Sequence, residues 1–392
     1  MTDPDGLDLR LTDEEAQFRQ TSRDWLAENL ARWREEIGGE PGPGDSKRGF
    51  AQHLVWERLL REGGYAALSW PIEYGGRGLD LLHWLIFEAE YYHAGAPQRV
   101  IQNGLALLAP SVFTFGSEQQ KREILSGIIS TEQLWCQGWS EPGAGSDLAS
   151  LRSTAQKVDG GWQLRGQKTW TTRGAFCTHL FGLFRTEPDS ARHRGLSYLL
   201  VPLDLDGVEI RGFNRLDGEE AFAEVFFDDA FVPDELQFGS AVLGDRGAGW
   251  KVAMSTTSSE RGVTLRPPGR LTAAADRLLD LWRERGKPTE HRNAVVDSWI
   301  KARAYTNQAC ETITAMRQGR ELSSEASMVK LWWSELDVRI HHTALDLLGE
   351  DAEMAGPWTT GWQTSLSGPI YAGTNEIQRN ITAERVLGLP RS

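Results

Sequence analysis

Cysteine is scarce in this chain, which has three in 392 residues. Cys136, Cys177 and Cys310 form no Cys-x-x-Cys pair and no metal-type spacing, and such an odd, sparse set suits a reducing compartment. The net charge is −13 and no run rich in lysine or arginine occurs, which argues against a nucleic-acid partner. Apolar runs such as residues 196–203 are too short to span a bilayer, and the N-terminus lacks the basic and apolar regions of a secretory signal. We therefore expect a cytoplasmic protein without a membrane span.

The order of patterns along the chain predicts three domains. Residues 1–133 show apolar side chains at helical spacing, residues 134–240 show short β-rich runs between glycine, aspartate and proline, and residues 241–392 return to helical spacing. A helical, then β, then helical order is typical of the α+β class and not of βαβ alternation. We expect an N-terminal helical domain, a central antiparallel β domain and a C-terminal helical bundle.

Local signals predict the positions of individual elements. Thr12 followed by Glu15 forms a capping box, which predicts the start of a helix. Further helices are expected over residues 81–92, 118–129, 293–317 and 325–348, and strands over residues 161–164, 180–184, 196–201 and 223–227. One more helix is predicted by the apolar face of Leu271, Ala274, Ala275, Leu278, Leu279 and Trp282.

Two motifs in the β-rich part carry the strongest chemical signal. The first is Trp-Ser-Glu-Pro-Gly-Ala-Gly-Ser-Asp at residues 139–147, where proline and two glycines predict a tight turn whose N–H groups face an anionic ligand. The second is Gly-Gln-Lys-Thr-Trp-Thr-Thr at residues 166–172, which places a flat aromatic ring beside two hydroxyls. Together they predict a site for a large planar cofactor with a pyrophosphate. The first motif lacks the third glycine of a Rossmann fingerprint, and no βαβ unit surrounds it.

A third motif, Ile-Tyr-Ala-Gly-Thr-Asn-Glu-Ile-Gln-Arg-Asn, lies at residues 370–380. With the two motifs above, a glycine-rich turn at residues 70–78 and the order of domains, the chain resembles the acyl-CoA dehydrogenases over nearly its whole length. The resemblance implies an FAD enzyme that removes the α proton of an acyl-CoA thioester while hydride passes from the β carbon to the flavin. It also implies electron transfer to an electron-transfer flavoprotein and a role in fatty acid β-oxidation.

The resemblance assigns cofactor contacts position by position. Ser140 matches a residue that hydrogen-bonds the pyrimidine side of the flavin, and Ser146 matches a hydroxyl at the pyrophosphate. Trp170 would pack against the ring, and Thr172 would hydrogen-bond the nitrogen that accepts hydride. The implied cofactor-binding residues are Trp139, Ser140, Gly145, Ser146, Trp170, Thr171, Thr172, Arg285, Thr374 and Glu376, of which the last three face the FAD of a neighbouring subunit. The implied substrate-binding residues are Ser146, Arg261, Tyr371, Ala372 and Gly373.

The family places its catalytic base in one of two positions. In one branch the base is a glutamate directly before the Gly-Thr of the C-terminal motif, where this chain has Ala372, which cannot accept a proton. In the other branch it belongs to a Glu-Arg pair on the helix after the β domain, which matches Glu260 and Arg261. The resemblance therefore implies Glu260 as the base, because Glu376 falls on a cofactor-contacting position. The backbone N–H of Ala372 and a flavin ribityl hydroxyl are implied to polarise the thioester carbonyl.

Two departures from the family pattern fall where subunits of relatives share FAD. A Phe-Gly expected beside Arg285 is missing, and Asp346 and Glu350 replace a glutamine and a glycine. The departures indicate an altered interface, so a homotetramer, a homodimer and an α2β2 heterotetramer all stay open. Pro267 and Pro268 interrupt the helix that carries Glu260, and we expect that helix to end near Leu265.

Three interpretations of the function stay open. The preferred one is desaturation of an acyl-CoA, and the second is a flavin oxidase or monooxygenase on the same fold. The third is a non-catalytic subunit of a heteromeric dehydrogenase. The small side chain of Ala372 favours a branched or bulky acyl group, including steroid side chains. The residues leave open the chain length and whether the carrier is CoA or a carrier protein, and they indicate no metal site.

Overall fold

Helices build the first part of the chain. The structure, a computed structural model, describes residues 11–187, 189–190, 192–261, 266–318 and 325–390, without the side chains of residues 258–261 and 325. The first elements are α1 (Asp13–Glu36), α2 (Lys47–Glu62), α3 (Leu81–His93), a π-helical segment (Asn103–Leu108), α4 (Ala109–Phe115) and α5 (Glu118–Ser130). The predicted capping box starts α1, because Thr12 Oγ1 accepts from the Glu15 N–H at 3.2 Å and the Glu15 carboxylate accepts from the Thr12 N–H at 2.7 Å.

A sheet of seven strands follows. The strands are β1 (Trp135–Gly138), β2 (Thr154–Val158), β3 (Gly161–Thr172), β4 (His179–Arg185), β5 (Leu196–Pro202), β6 (Val208–Phe213) and β7 (Phe222–Pro233), and a separate hairpin joins β8 (Glu235–Leu236) to β9 (Gly239–Ser240). The order in the sheet is β1-β4-β2-β3-β7-β6, and β5 pairs with β4. Most pairings are antiparallel as expected, but β1 and β2 run parallel to β4.

The last part of the chain is again helical. Its elements are α6 (Gly249–Arg261), α7 (Pro268–Glu284), α8 (Arg292–Arg317), α9 (Glu325–Leu348), α10 (Pro357–Ser365) and α11 (Asn375–Ile381). The predicted apolar face of α7 is buried at Leu271, Ala274, Ala275 and Leu278, where it packs against α8 and α9. None of the helices in the described ranges is both long enough and apolar enough to cross a membrane.

The predicted fold class is confirmed, and the differences concern element lengths and the pairing of strands. The strand expected at residues 161–164 is the start of a twelve-residue strand, β3. The pattern breaks there because β3 carries register shifts against β7 between Leu164 and Gly166 and between Lys168 and Thr171. Such bulges reverse the side-chain alternation by which a strand is recognised.

The imidazole of His179 is expected to make stability depend on pH. It packs beside the rings of Trp135 and Phe238, with centroids 4.7 and 5.9 Å away, and burial lowers the pKa of His179 to about 4 although Asp204 opposes the shift. The unfolded chain then binds more protons than the folded one between pH 4 and about 6.5, so stability falls as the pH drops through this window. The wild type should lose up to roughly 3 kcal/mol more than His179→Phe, since each pKa unit is worth about 1.4 kcal/mol.

Urea denaturation of the two proteins at pH 7 and pH 4.5 measures this difference. The comparison with His179→Phe cancels the contribution of carboxylates that titrate in the same window. Equal losses of unfolding free energy in the two proteins would show that His179 is protonated in the folded state.

Candidate functional site

The turn at residues 139–147 is closed by its own backbone and open on one face. The Glu141 N–H donates to the Ala144 carbonyl at 3.1 Å, and the Ala144 N–H donates back to the Glu141 carbonyl at 2.9 Å. A side chain added at Gly143 or Gly145 would meet no atom within 4 Å, and neither glycine has a positive φ. These glycines are therefore not required by a left-handed backbone angle. Their lack of a side chain leaves one face of the turn open to solvent. Ser146 is exposed on the same turn.

A buried ion pair holds this turn against β3. The Lys168 ammonium donates to the Glu141 carboxylate at 2.8 Å and to the Leu183 carbonyl at 2.7 Å, and the Lys168 side chain is fully buried. The same carboxylate accepts from the N–H groups of Arg152 and Ser153 at 2.6 and 2.9 Å. Burial lowers the pKa of Lys168 to about 8. Burial would raise the pKa of Glu141, but Lys168 and the N–H donors bring it below its ordinary value.

The end of β3 presents an exposed tryptophan beside the turn. The Thr169 N–H donates to the Ser140 carbonyl at 2.9 Å, so the two predicted cofactor segments are in direct contact. Trp170 has φ of 58°, a left-handed angle that is strained for a bulky residue, and its side chain is 62% exposed. Phe213 and Phe222 meet its ring edge-on at centroid distances of 5.2 and 5.5 Å. The strain and the aromatic support hold the indole out of the core.

Each of the two predicted cofactor motifs contains a buried polar atom without a partner in the described residues. Trp139 Nε1 and Thr171 Oγ1 are both buried, and neither has a hydrogen-bond partner within the described residues. The Thr172 carbonyl accepts from Asn103 Nδ2 at 3.3 Å, which ties the strand end to the π-helical segment. Buried polar groups normally have partners, so these two atoms are the ones in the motifs that a bound cofactor could satisfy.

A charged cluster fixes the chain directly after Thr172. Arg173 has φ of 57° and is buried, and its guanidinium donates to Asp45 at 2.6 Å. Arg215 donates to the other oxygen of Asp45 at 2.6 Å. Burial would raise the pKa of Asp45, but the two arginines hold it below its ordinary value. The loop before α2 is thereby fastened to the end of β3.

The predicted residues Tyr371, Ala372 and Gly373 lie where the C-terminal motif contacts the segment before α7. Arg266 donates from Nε to the Tyr371 hydroxyl at 2.9 Å and also from its terminal nitrogen. The Arg266 carbonyl accepts from the Tyr305 hydroxyl at 2.9 Å. Ala372 has φ of 58° and Gly373 has φ of 82°. The left-handed angle is strained at Ala372 but not at Gly373, since glycine adopts it at no steric cost.

The predicted base lies partly outside what the structure describes. The backbone of α6 runs to Arg261, but the side chains of Glu260 and Arg261 are outside the described residues, as is the predicted helix end near Leu265. The body of α6 is anchored by Thr256, whose hydroxyl lies 2.6 Å from that of Ser111 on α4.

The three residues predicted to reach a neighbouring subunit are Thr374, which directly follows Gly373, Glu376 and Arg285. Thr374 caps α11 by accepting from the Ile377 N–H at 3.3 Å, and Glu376 is exposed in the first turn of that helix. Arg285 donates to Asp351 at 2.6 Å. No hydrogen bond or ion pair within the described ranges joins these three to the turn at residues 139–147.

The sequence analysis did not identify the buried polar groups that hold the segments of the site in place. Glu141 and Lys168 both lie inside the two motifs. A charged residue in a largely buried, β-rich stretch could have indicated a buried ion pair. Asp45 and Arg266 carried no such signal, because their partners lie 128 and 105 residues away in the chain.

The chain is similar to known proteins over nearly its whole length. Three family models match the chain: the acyl-CoA dehydrogenase N-terminal domain over residues 12–132, its middle domain over residues 136–230 and its C-terminal domain over residues 247–387. The chain is 39% identical to the acyl-CoA dehydrogenase IpdE1 of Mycolicibacterium smegmatis and 40% identical to IpdE1 of Mycobacterium tuberculosis, with 96% of this chain and 98% of each relative covered. Among solved structures it is similar to the ChsE4-ChsE5 complex from Mycobacterium tuberculosis, with a TM-score of 0.82, 25% identity and coverage of 98% of this chain and all of that chain.

Proposed function

The chain belongs to the acyl-CoA dehydrogenase family and is an FAD-dependent oxidoreductase, and we propose that it α,β-desaturates an acyl-CoA with Glu260 as the base. The substrate loses a proton from its α carbon and a hydride from its β carbon, which leaves a carbon–carbon double bond. Bound FAD supplies the acceptor for the hydride. Glu260 takes the α proton, and the Ala372 N–H donates to the thioester carbonyl, which makes that proton more acidic.

The hydrogen bond between Arg266 and Tyr371 carries this proposal. It joins the segment that follows Glu260 to the residue that precedes Ala372. In the proposal the two alternative base positions of the family, which are 112 residues apart in the chain, lie on either side of one substrate. A base on α6 can then act on a thioester whose carbonyl lies at Ala372.

The cofactor segments around the turn and β3 fit the flavin. In the proposal Ser140, Trp170 and Thr172 face the ring system, and Ser146 on the open turn holds the pyrophosphate. The remaining contacts come from Trp139, Gly145 and Thr171. The exposure of Trp170 and the open face at Gly145 support this assignment.

A bulky acyl group is the substrate that we propose. Ala372 has no side chain beyond Cβ at the position where one branch of the family has a glutamate, so more space remains beside the reacting carbons. The reaction would be the first oxidation of a β-oxidation-type cycle that shortens such a group. Similar turnover of straight-chain and branched acyl-CoAs would contradict this choice of substrate.

A related chain is proposed to complete the cofactor site, and an electron-transfer flavoprotein to accept the electrons. Asp346 and Glu350 are exposed at positions where relatives contact a neighbour's FAD, and Arg285 is engaged by Asp351. The similar ChsE4-ChsE5 structure is a complex of two different chains. An α2β2 assembly in which this chain supplies Glu260 agrees with these features.

Anaerobic bleaching of the bound flavin tests the proposed function. Purified protein, alone or with its partner chain, is mixed without oxygen with straight, branched and steroid-like acyl-CoAs, and absorbance near the flavin maximum is followed. Bleaching by an acyl-CoA, with slow reoxidation when air is admitted, is the expected result. Fast reoxidation by oxygen would identify an oxidase, and a yellow protein that no acyl-CoA bleaches would contradict the proposal.

A further inference from the structure

One buried glutamine holds both residues of the left-handed turn at Ala372. Gln378, on α11, is fully buried, and its Nε2 donates to the Ala372 carbonyl at 3.1 Å and to the Gly373 carbonyl at 3.2 Å. The opposite orientation of this amide would place Oε1 against the same two carbonyl oxygens, where it could accept nothing. Oε1 has no hydrogen-bond partner within the described residues, so the two bonds to the turn are what fix the amide.

The turn needs this support because Ala372 is not glycine. Its φ of 58° is strained for a residue with a Cβ, whereas Gly373 adopts its φ of 82° freely. Without the Gln378 bonds, Ala372 would be free to relax to a negative φ by rotation of the peptide group between Tyr371 and Ala372. That peptide group carries the Ala372 N–H, so the relaxation would change the direction in which this N–H points.

The helix that carries Gln378 is itself anchored in the C-terminal bundle. Asn375, in the first turn of α11, accepts at Oδ1 from the Lys330 ammonium at 2.7 Å and from the Ser334 hydroxyl at 3.1 Å. Lys330 and Ser334 lie on α9, and both are fully buried. The Asn375 N–H donates to the Pro369 carbonyl at 2.8 Å, which closes the loop that contains the turn. The glutamine therefore acts from a fixed support.

We propose that Gln378 is a positioning residue for the desaturation, which keeps the Ala372 N–H directed at the thioester carbonyl of the substrate. This inference rests on the proposed function, in which that N–H makes the α proton more acidic. A donor stabilises developing negative charge best when it already points at the oxygen before the reaction. Gln378 acts through the backbone and does not contact the substrate, so its effect is on proton removal more than on binding.

Gln378→Met tests the inference, because it removes both donors and keeps a side chain of similar length. We expect reduction of bound flavin by an acyl-CoA to slow about ten- to a hundred-fold, less than the ~10²–10³-fold of deleting an oxyanion donor, since the N–H is misdirected and not absent. Anaerobic stopped-flow measures this rate. The dissociation constant of the acyl-CoA should change far less.

A bound chromophore reports on the thioester carbonyl directly. 4-(Dimethylamino)cinnamoyl-CoA is a conjugated thioester whose absorption moves to longer wavelength when its carbonyl is polarised. The wild type should shift this band on binding, and Gln378→Met should shift it less. A role of Gln378 in stability alone would leave the shift unchanged. No shift in the wild-type complex, or equal shifts in the two complexes, would overturn the inference.

Gln120→Met is the matched control. Gln120, on α5, is also buried, and its amide also donates to two backbone carbonyls, those of Ser240 at 2.8 Å and Val242 at 3.1 Å. Its replacement should lower the unfolding free energy about as much as Gln378→Met does. The reduction rate and the band shift should stay at their wild-type values.

Adding Ala372→Gly to the Gln378→Met protein tests the backbone link. Glycine adopts the left-handed angle without strain, so the double variant should recover part of the rate and part of the band shift. A double variant no better than Gln378→Met would show that Gln378 does not act through the conformation of Ala372. If Gln378→Met does not fold, Gln378→Glu takes its place, since a protonated carboxyl donates to only one of the two carbonyls.

These measurements separate failure of the inference from failure of the proposed function. Equal reduction rates and equal band shifts in wild type and Gln378→Met would refute positioning by Gln378 while leaving desaturation intact. A band shift that depends on Gln378, in a protein whose flavin no acyl-CoA reduces, would support the positioning and refute desaturation.

Discussion

Replacing Glu260 with glutamine is expected to slow the reduction of bound flavin by an acyl-CoA ~10²–10⁴-fold, the usual contribution of a positioned general base. Glutamine has nearly the same shape but cannot accept the α proton at neutral pH. The rate constant for bleaching in anaerobic stopped-flow experiments measures the effect. Flavin content and substrate binding should stay near the wild-type values, since the substitution removes only the proton acceptor.

Two further variants sharpen this test. Glu284→Gln changes an exposed glutamate at the end of α7 and should leave the bleaching rate unchanged. Adding Ala372→Glu to the Glu260→Gln protein places a carboxylate at the other base position of the family and should restore part of the rate. Undiminished bleaching in the Glu260→Gln protein would mean that another group takes the proton.

Replacing Lys168 with methionine is expected to cost ~3–5 kcal/mol of unfolding free energy, because it leaves the buried Glu141 carboxylate without its counter-charge. The turn that carries Ser140 and Ser146 would lose one of its two attachments to β3 and keep only the Thr169–Ser140 hydrogen bond, so the protein should also retain less flavin. Guanidinium denaturation followed by tryptophan fluorescence measures the free energy. The absorbance ratio of the purified protein measures flavin content.

Lys157→Met is the matched control for this effect. Lys157 pairs with Asp234 on the surface of the same sheet, and both side chains are well exposed, so its replacement should cost less than about 1 kcal/mol. The double variant Glu141→Gln with Lys168→Met should be more stable than Lys168→Met alone, because the second change removes the uncompensated charge. A loss for Lys168→Met no larger than that for Lys157→Met would show that the buried pair contributes little.

The helices could be predicted from short stretches of chain. The capping box at Thr12 and the apolar face of α7 depend on residues a few positions apart, and both are present in the structure. The motifs at residues 139–147 and 166–172 identified the family, because a tight turn and an aromatic strand end are local properties. The strands were predicted less completely, since the bulges of β3 interrupt the alternation of side chains.

Contacts between distant segments lay beyond prediction because each depends on how separate elements pack. Asp45 meets Arg173 and Arg215 only when the loop before α2 lies against β3. Arg266 meets Tyr371 only when α7 lies against the C-terminal motif. Glu88 is an ordinary polar position on a helix in the sequence, and only the packed fold shows that its side chain is buried. Local residue order thus settled the family, whereas packing between distant segments decided which polar groups are buried together, because burial and partners are properties of the assembled fold.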